Sequence, residues 1–270
     1  MLDIGRGTSM RPLAQSVSAD FAGVDFVLTD MDDTLTYRGR LPAATYAALD
    51  RLQAAGIKVI PVTAAPAGWC DQMVRMWPVD AVIGENGGIS MLRTTLGVER
   101  SFWHADTDEL QAQLSALRER LEAQMPFIRV SADQPFRLTS LAFDRPASTE
   151  ASADLCALFH AAGADTTVNS LWVLGWFGGY DKLIAARRFM HEAYGIDIDA
   201  QSDRIVYVGD STNDAPMFHH FPRSVGVSTV VEYLSEIKTP PAWITQGPGG
   251  TGFVEVADAI LAARGRVLAR

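Results

Sequence analysis

The feature that most constrains this chain is a pair of apolar runs that each end in clustered carboxylates. VDFVLTD, residues 24–30, leads straight into Met31, Asp32, Asp33 and Thr34, and RIVYVGD, residues 204–210, leads into Ser211, Thr212, Asn213 and Asp214. Both runs read as short buried strands. In an open parallel sheet, ligands collect beyond the carboxyl ends of the strands, where Asp30, Thr63 and Asp210 all stand. Extended backbone turns Asp30 and Asp32 to one side and Met31 to the other.

The pattern between these runs defines the fold class. After the first come a turn-rich loop, a helical ATYAALDRLQAAG, a strand IKVIPVT, a helix AGWCDQMVRMW and a short strand DAVIG. That alternation predicts an α/β fold, a doubly wound parallel sheet. From Gly87 to Gly179 the rhythm breaks: two helical stretches, TDELQAQLSALRERLEAQM and STEASADLCALFHAAG, bracket a strand-like FRLTSLAFD, and TTVNSLWVLGW follows. It resumes with a helix from Asp181, the strand RIVYVGD, a short helix near NDAPMF, strands SVGV and AWIT, and a last helix. The expected organisation is a core of residues 1–86 and 180–270, split by an inserted α+β cap of residues 87–179.

Composition narrows the function. A net charge of −9 over 270 residues disfavours a nucleic-acid or anionic-membrane surface. The first twenty residues contain no continuous apolar stretch, and no later segment is long and apolar enough to span a bilayer. A soluble, cytoplasmic protein is expected. Cys70 and Cys156 read as ordinary reduced thiols, and the five histidines fit no zinc pattern. GPGGTG at 247–252 satisfies a dinucleotide fingerprint, yet it lies in the last strand-to-helix loop without the acidic residue that should follow.

Each acidic cluster has a plainer reading as well. Asp and Thr build turns and cap helices, so DMDDT taken alone, and Asn213 and Asp214 before their helix, fit that role too. Crowded carboxylates repel unless a cation neutralises them; Lys182 is the natural basic partner, although a lysine there could equally be a solvated surface residue. Asp210 and Asp214 offer the hard oxygen ligands that Mg²⁺ prefers.

Taken in order, DMDDT at 30–34, the strand-ending Thr63, Lys182 in GGYDKL and GDSTND at 209–214 resemble the haloacid dehalogenase superfamily over nearly the whole chain. The insertion between the threonine and lysine motifs, with GENGG at 84–88 leading into it, is similar to the branch that carries a C2-type cap. The resemblance implies a phosphatase in which Asp30 attacks phosphorus and Asp32 serves as acid and then base. It implies Mg²⁺ held by Asp30, the Asp32 carbonyl and Asp210, with Asp214 close by. Thr63 with the Ala64 amide, Lys182 and Asn213 would hold the phosphoryl oxygens. In the cap and at its threshold, Asn86, Arg137, Thr139 and Asn169 are candidate substrate contacts, each with a role in the sheet surface as the alternative. The relatives suggest a small sugar phosphate or phosphorylated sugar acid. A phosphomutase shares the same motifs, while a receiver-like module and a non-catalytic phospholigand binder are the remaining alternatives. One departure stands out: relatives often follow the threonine with Gly-Arg, and this chain reads Thr63-Ala64-Ala65-Pro66. Trp172, Trp176 and Phe177 flank the return to the core, either packing a hinge or stacking on a ligand. The glycines at 84–88 and 175–179 suit a hinge.

Overall fold

The computed structural model describes residues 10–169 and 171–268; the first nine residues of the polar leader, and Ser170, lie outside the described residues. In chain order the elements are β1 (Arg11–Pro12), β2 (Phe26–Thr29), α1 (Ala43–Ala54), β3 (Lys58–Pro61), α2 (Ala67–Met76) and β4 (Ala81–Gly84). Next come β5 (Ile89–Thr94), β6 (Gly97–Phe102), α3 (Thr107–Gln124), β7 (Leu141–Asp144), α4 (Thr149–Ala161), β8 (Asp165–Val168) and β9 (Trp172–Trp176). The chain closes with α5 (Lys182–Tyr194), β10 (Ile205–Gly209), α6 (Ala215–His220), β11 (Ser224–Gly226), β12 (Trp243–Ile244) and α7 (Gly249–Leu268).

Strands β1, β12, β11, β10, β2 and β3 form, in that order, a six-stranded sheet in which every pairing is parallel. The α/β doubly wound core is therefore as expected. Side chains alternate across β2. Val27 joins Leu49 and Leu52 of α1, Val74 of α2 and Phe253 and Val256 of α7 on one face. Phe26 and Leu28 join Ala186, Phe189 and Met190 of α5 and Met217 and Phe218 of α6 on the other. With both faces covered, the strands are near-continuous apolar runs, and the polar ends of β2 and β10 are left as the place for chemistry.

Beyond β3 the architecture differs in detail from the sequence reading. β4 touches β3's extension through the parallel bridge of Val62 with Ile83, and β5 and β6 then add antiparallel strands. The ISMLRTTLGVERSF hairpin has no clean alternation of polar and apolar residues, so its pairing was not legible. The third sheet, β7-β9-β8, is antiparallel. One face of it packs against Leu110, Leu114 and Leu117 of α3 and Leu155 and Phe159 of α4. From the other face Trp172, Leu174, Trp176 and Ala142 meet Ala64 and Tyr180.

FRLTSLAFD is strand only from Leu141; a 3₁₀ turn, Gln134–Phe136, precedes it, and Arg137, Thr139 and Ser140 sit in the connection. Gly175 is not a hinge. It lies inside β9, where any side chain would run into the Phe159 ring. The left-handed backbone of this region is at Glu85, Asn86, Gly87, Gly178 and Gly179.

GPGGTG has a packing role. Gly249, at φ 49°, lies so close to the Thr36 carbonyl that an added Cβ would stand 2.5 Å from it, and one on Gly250 would stand 2.7 Å from the Leu35 carbonyl. The first turn of α7 is thus pressed against the loop that follows Asp30. Among the described residues, no helix is long and apolar enough to cross a membrane.

Candidate active site

Asp30 extends the ladder past β2, its amide donating to the Val208 carbonyl at 2.8 Å. Met31 turns into the core. Asp30 and Asp32 line one small cavity together with Ala64, Asn169, Asp210, Ser211 and Asn213. The cavity measures about 10 Å³, room for about one water.

Lys182 opens α5, which Asp181 caps by accepting from the Ile184 amide at 2.7 Å. Its side chain is only 1% exposed, and its ammonium donates to Asp30 Oδ1 and Asp214 Oδ1, both at 2.7 Å. Burial pulls this ammonium's pKa down, but the two carboxylates more than offset it and hold the lysine charged. The surface-lysine reading is excluded.

Asp214 has both oxygens engaged. Oδ1 also accepts from the Tyr207 hydroxyl at 2.5 Å, and Oδ2 accepts from the Asp210 and Ser211 amides at 2.9 and 3.1 Å. The carboxylate folds so closely over the end of β10 that a Cβ on Gly209 would stand 2.5 Å from Oδ2. Asp214 therefore shapes the loop and aims Lys182. Asp210 accepts from the Thr34 hydroxyl at 2.9 Å, which ties the two acidic loops together.

The remaining carboxylates are strained electrostatically. Burial pushes Asp30 up to about 6, against the pull of Lys182 and with a push from Asp214. Burial, followed by the charges of Asp30 and Asp33, pushes Asp32 up to about 7. Burial and the charges of Asp30 and Asp214 hold Asp210 well above its ordinary range. Oδ2 of Asp32 is buried without a partner among the described residues. One carboxylate oxygen from each of Asp30, Asp210 and Asp214 lies within 4.8 Å of the others, and such a hard, under-neutralised donor set fits a divalent cation such as Mg²⁺.

Thr63 is fully buried at the end of β3's run, and its hydroxyl oxygen accepts from the Ala65 amide at 3.0 Å, leaving its proton to donate elsewhere. Asn213 accepts from the Ser211 hydroxyl at 2.9 Å, so its amide nitrogen is turned to other partners. From the cap, Asn169 accepts from the Leu171 and Trp172 amides at 2.9 and 2.8 Å and closes over the cavity.

Arg137 and Thr139 take a different place from the one their sequence suggested. Arg137 is buried, ion-paired with Asp133 through two nitrogens at 2.8 and 3.2 Å, stacked over Trp172, and donates to the Ala64 carbonyl at 2.9 Å. Arg137, from the connection that precedes β7, thus reaches the loop that follows Thr63. Thr139 is committed to Glu85, a residue the sequence reading passed over. Glu85 Oε1 accepts from the Ala67 and Leu138 amides at 3.0 and 2.8 Å. Its Oε2 accepts from the Thr139 amide and hydroxyl at 2.9 and 3.0 Å and from Ser140 Oγ at 2.6 Å. Trp176 stacks on Tyr180 and donates to its carbonyl at 2.9 Å; with Trp172 under Arg137, these aromatics pack the junction.

Tyr207 and Thr34 were also missed. Tyr207 carried a signal, as a polar tip inside an otherwise apolar strand two positions before the glycine. Glu85 carried only its place in GENGG, since four of its five donors come from a loop more than fifty positions away.

Residues 27–120, about a third of the chain, match the family model described as haloacid dehalogenase-like hydrolase. The fold is similar to Thermoplasma acidophilum 0175, with a TM-score of 0.70, 19% identity and coverage of 88% of this chain and 99% of that one. It is also similar to the sucrose-phosphatase of Synechocystis sp. PCC6803, solved with sucrose and phosphate, at a TM-score of 0.61, 12% identity and coverage of 88% and 98%. A trehalose-6-phosphate phosphatase related protein aligns at a TM-score of 0.60 and 12% identity, covering 91% and 100%. At these identities the structures speak for the fold. No curated protein matches the sequence. The resemblance read from the motifs is borne out by the family model over 27–120, and the fold over most of the chain is like that of these structures.

Proposed function

We propose that this haloacid dehalogenase-like chain is a Mg²⁺-dependent phosphatase of the cytoplasm, and that Asp30 takes the phosphoryl group from a small phosphate monoester, a sugar phosphate or phosphorylated sugar acid. The observation that carries the reading is the buried ammonium of Lys182 shared at 2.7 Å between Asp30 and Asp214, with Asp32 beside them.

In the first step an Asp30 oxygen forms a bond to phosphorus while the bond to the leaving oxygen breaks, and Asp32 gives that oxygen its proton. A carboxyl held near 7 still carries a proton at neutral pH, which suits a general acid. In the second step Asp32 takes a proton from water, the water oxygen bonds to phosphorus and the Asp30–phosphorus bond breaks, which releases phosphate and restores the Asp30 carboxylate and the protonated Asp32 carboxyl. Thr63, the Ala64 amide, Lys182 and Asn213 hold the non-bridging oxygens. Asp30, Asp210 and the Asp32 carbonyl would hold Mg²⁺, which neutralises phosphate charge when bound. Asp214, with both oxygens engaged, would stand behind them.

We assign the cap to residues 87–179, its β5–β6 hairpin being the part paired with the core. A cavity of about 10 Å³ cannot admit a phosphoryl group, which supports a cap that swings open between turnovers. Asn86 and Asn169 remain proposed substrate contacts, and Arg137 and Thr139 become proposed fastenings between cap and core.

The test is phosphate release from a panel of hexose phosphates, phosphorylated sugar acids, nucleotides and phosphopeptides, with Mg²⁺ and with chelator. Turnover of small monoesters that chelator abolishes is expected. Equal activity in chelator, or preference for nucleotides or phosphopeptides, would refute the reading.

A further inference from the structure

A second and larger cavity, about 360 Å³, lies between the β8–β9 hairpin and the start of α5. It shares Asn213 with the small cavity over Asp30 and takes in Lys182. At its boundary the Thr212 hydroxyl donates to the Val168 carbonyl at 3.4 Å, joining core to cap. Asn86 lines it, 2% exposed and in left-handed backbone, with both ends of its amide unpartnered among the described residues. A buried amide of this kind is costly unless a ligand supplies the missing hydrogen bonds.

The charges around this chamber are one-sided. Asp165 and Asp181 line it, each accepting one backbone amide, from Gly179 at 2.9 Å and Ile184 at 2.7 Å, and each keeps further acceptor capacity. Lys182 is already divided between Asp30 and Asp214. His160 stands exposed at the rim. Thr167 and Trp176 complete a surface suited to hydroxyls and to the C–H face of a sugar.

We propose that this chamber receives the leaving group and selects an uncharged or amino-bearing polyol, turning away any substrate with a second carboxylate or phosphate. The proposal rests on the phosphatase reading and narrows it from sugar phosphates and sugar acids to the former. A volume of this order holds a ligand of about one or two sugar rings. A second anion would face two carboxylates, with the nearest ammonium committed elsewhere, and like charges brought together repel.

The experiment compares kcat/KM for glucose 6-phosphate, glucosamine 6-phosphate, 6-phosphogluconate and fructose 1,6-bisphosphate, with p-nitrophenyl phosphate as a probe whose leaving group carries neither hydroxyls nor a second carboxylate or phosphate. The first two should exceed the last two by at least about tenfold. Asp165→Asn should narrow that gap by about threefold or more. Turnover of p-nitrophenyl phosphate combined with equal or reversed preference in the sugar series would overturn the chamber's role and leave the phosphatase reading standing. Failure to turn over any of the five would bring down both.

Discussion

Two buried carboxylates a short distance apart in the fold are handled in opposite ways. Asp30 is buried beside Asp210, Asp214 and one shared lysine, and its pKa stays raised to about 6. Glu85 is buried with no cation paired to it among the described residues, yet five amide and hydroxyl hydrogens converge on its two oxygens. A carboxylate saturated by fixed donors is a fastening; one left short of them is poised to bind or react. The same physics, burial of charge, builds the reactive centre at one place and a joint between core and cap at the other.

The sharpest way to break that distinction is Asp30→Asn. Phosphate release should fall on the order of 10⁴-fold or more, with the thermal midpoint nearly unchanged, because an amide keeps the shape and loses the nucleophile. Residual turnover within about a hundredfold of the parent enzyme would show that Asp30 is not the attacking group. Glu85→Gln should do the reverse. Two or more donors would meet an NH₂ group, and stability should drop by about 2–3 kcal/mol in chemical denaturation, with a loosened cap visible as faster amide exchange at 138–140. No change in stability would remove Glu85 from the role of a joint.

Arg137→Lys sharpens the comparison where the two regions meet. A lysine cannot keep both contacts to Asp133 and the bond to the Ala64 carbonyl, so the loop that follows Thr63, proposed to hold the phosphoryl group, loses its support. A roughly tenfold loss in kcat/KM is expected, accompanied by weaker inhibition by inorganic phosphate. A pure stability loss with unaltered phosphate affinity would leave Arg137 a packing residue.

The smallest effect concerns pH. Asp30, Asp32 and Asp210 all have folded-state values raised above 3.8, so folding favours their protonated forms. Below about pH 4 these groups are protonated whether folded or not, and no penalty applies; as pH rises from about 4 the penalty on the folded state grows, and it is complete above about 6 for Asp30 and about 7 for Asp32. The metal-free protein should therefore lose on the order of 3 °C in Tm between pH 5 and 7.5, and Mg²⁺ should restore more at the higher pH. A flat profile, or Mg²⁺ stabilisation independent of pH, would mean that these carboxylates are not strained by their surroundings.

The sequence was informative wherever one local segment settles both position and chemistry. Asp30, Asp32, Thr63, Asp210 and Lys182 stand at strand ends or a helix start, and short-range pattern alone put them on one edge of a parallel sheet. What escaped it depends on contacts between distant segments. Glu85 gains its partners from residues 138–140, Arg137 gains its target in residue 64, and Thr34 gains its acceptor in Asp210. None of these pairings leaves a trace in local periodicity. The β5–β6 hairpin was missed for a related reason: its alternation is blurred because the strands are only partly covered, Leu92, Val98 and Phe102 being only half-buried.

The glycines that open α7 carry a consequence for how this enzyme could be tuned. Gly249 and Gly250 press directly on the carbonyls of residues 35 and 36, on the segment that continues from the reactive aspartates. On the proposed reading, in which Asp30 is the nucleophile, a single methyl at either glycine would act as a wedge against the loop that follows it. Variants there should trade turnover for tolerance, shifting rate without altering which molecules fit between core and cap.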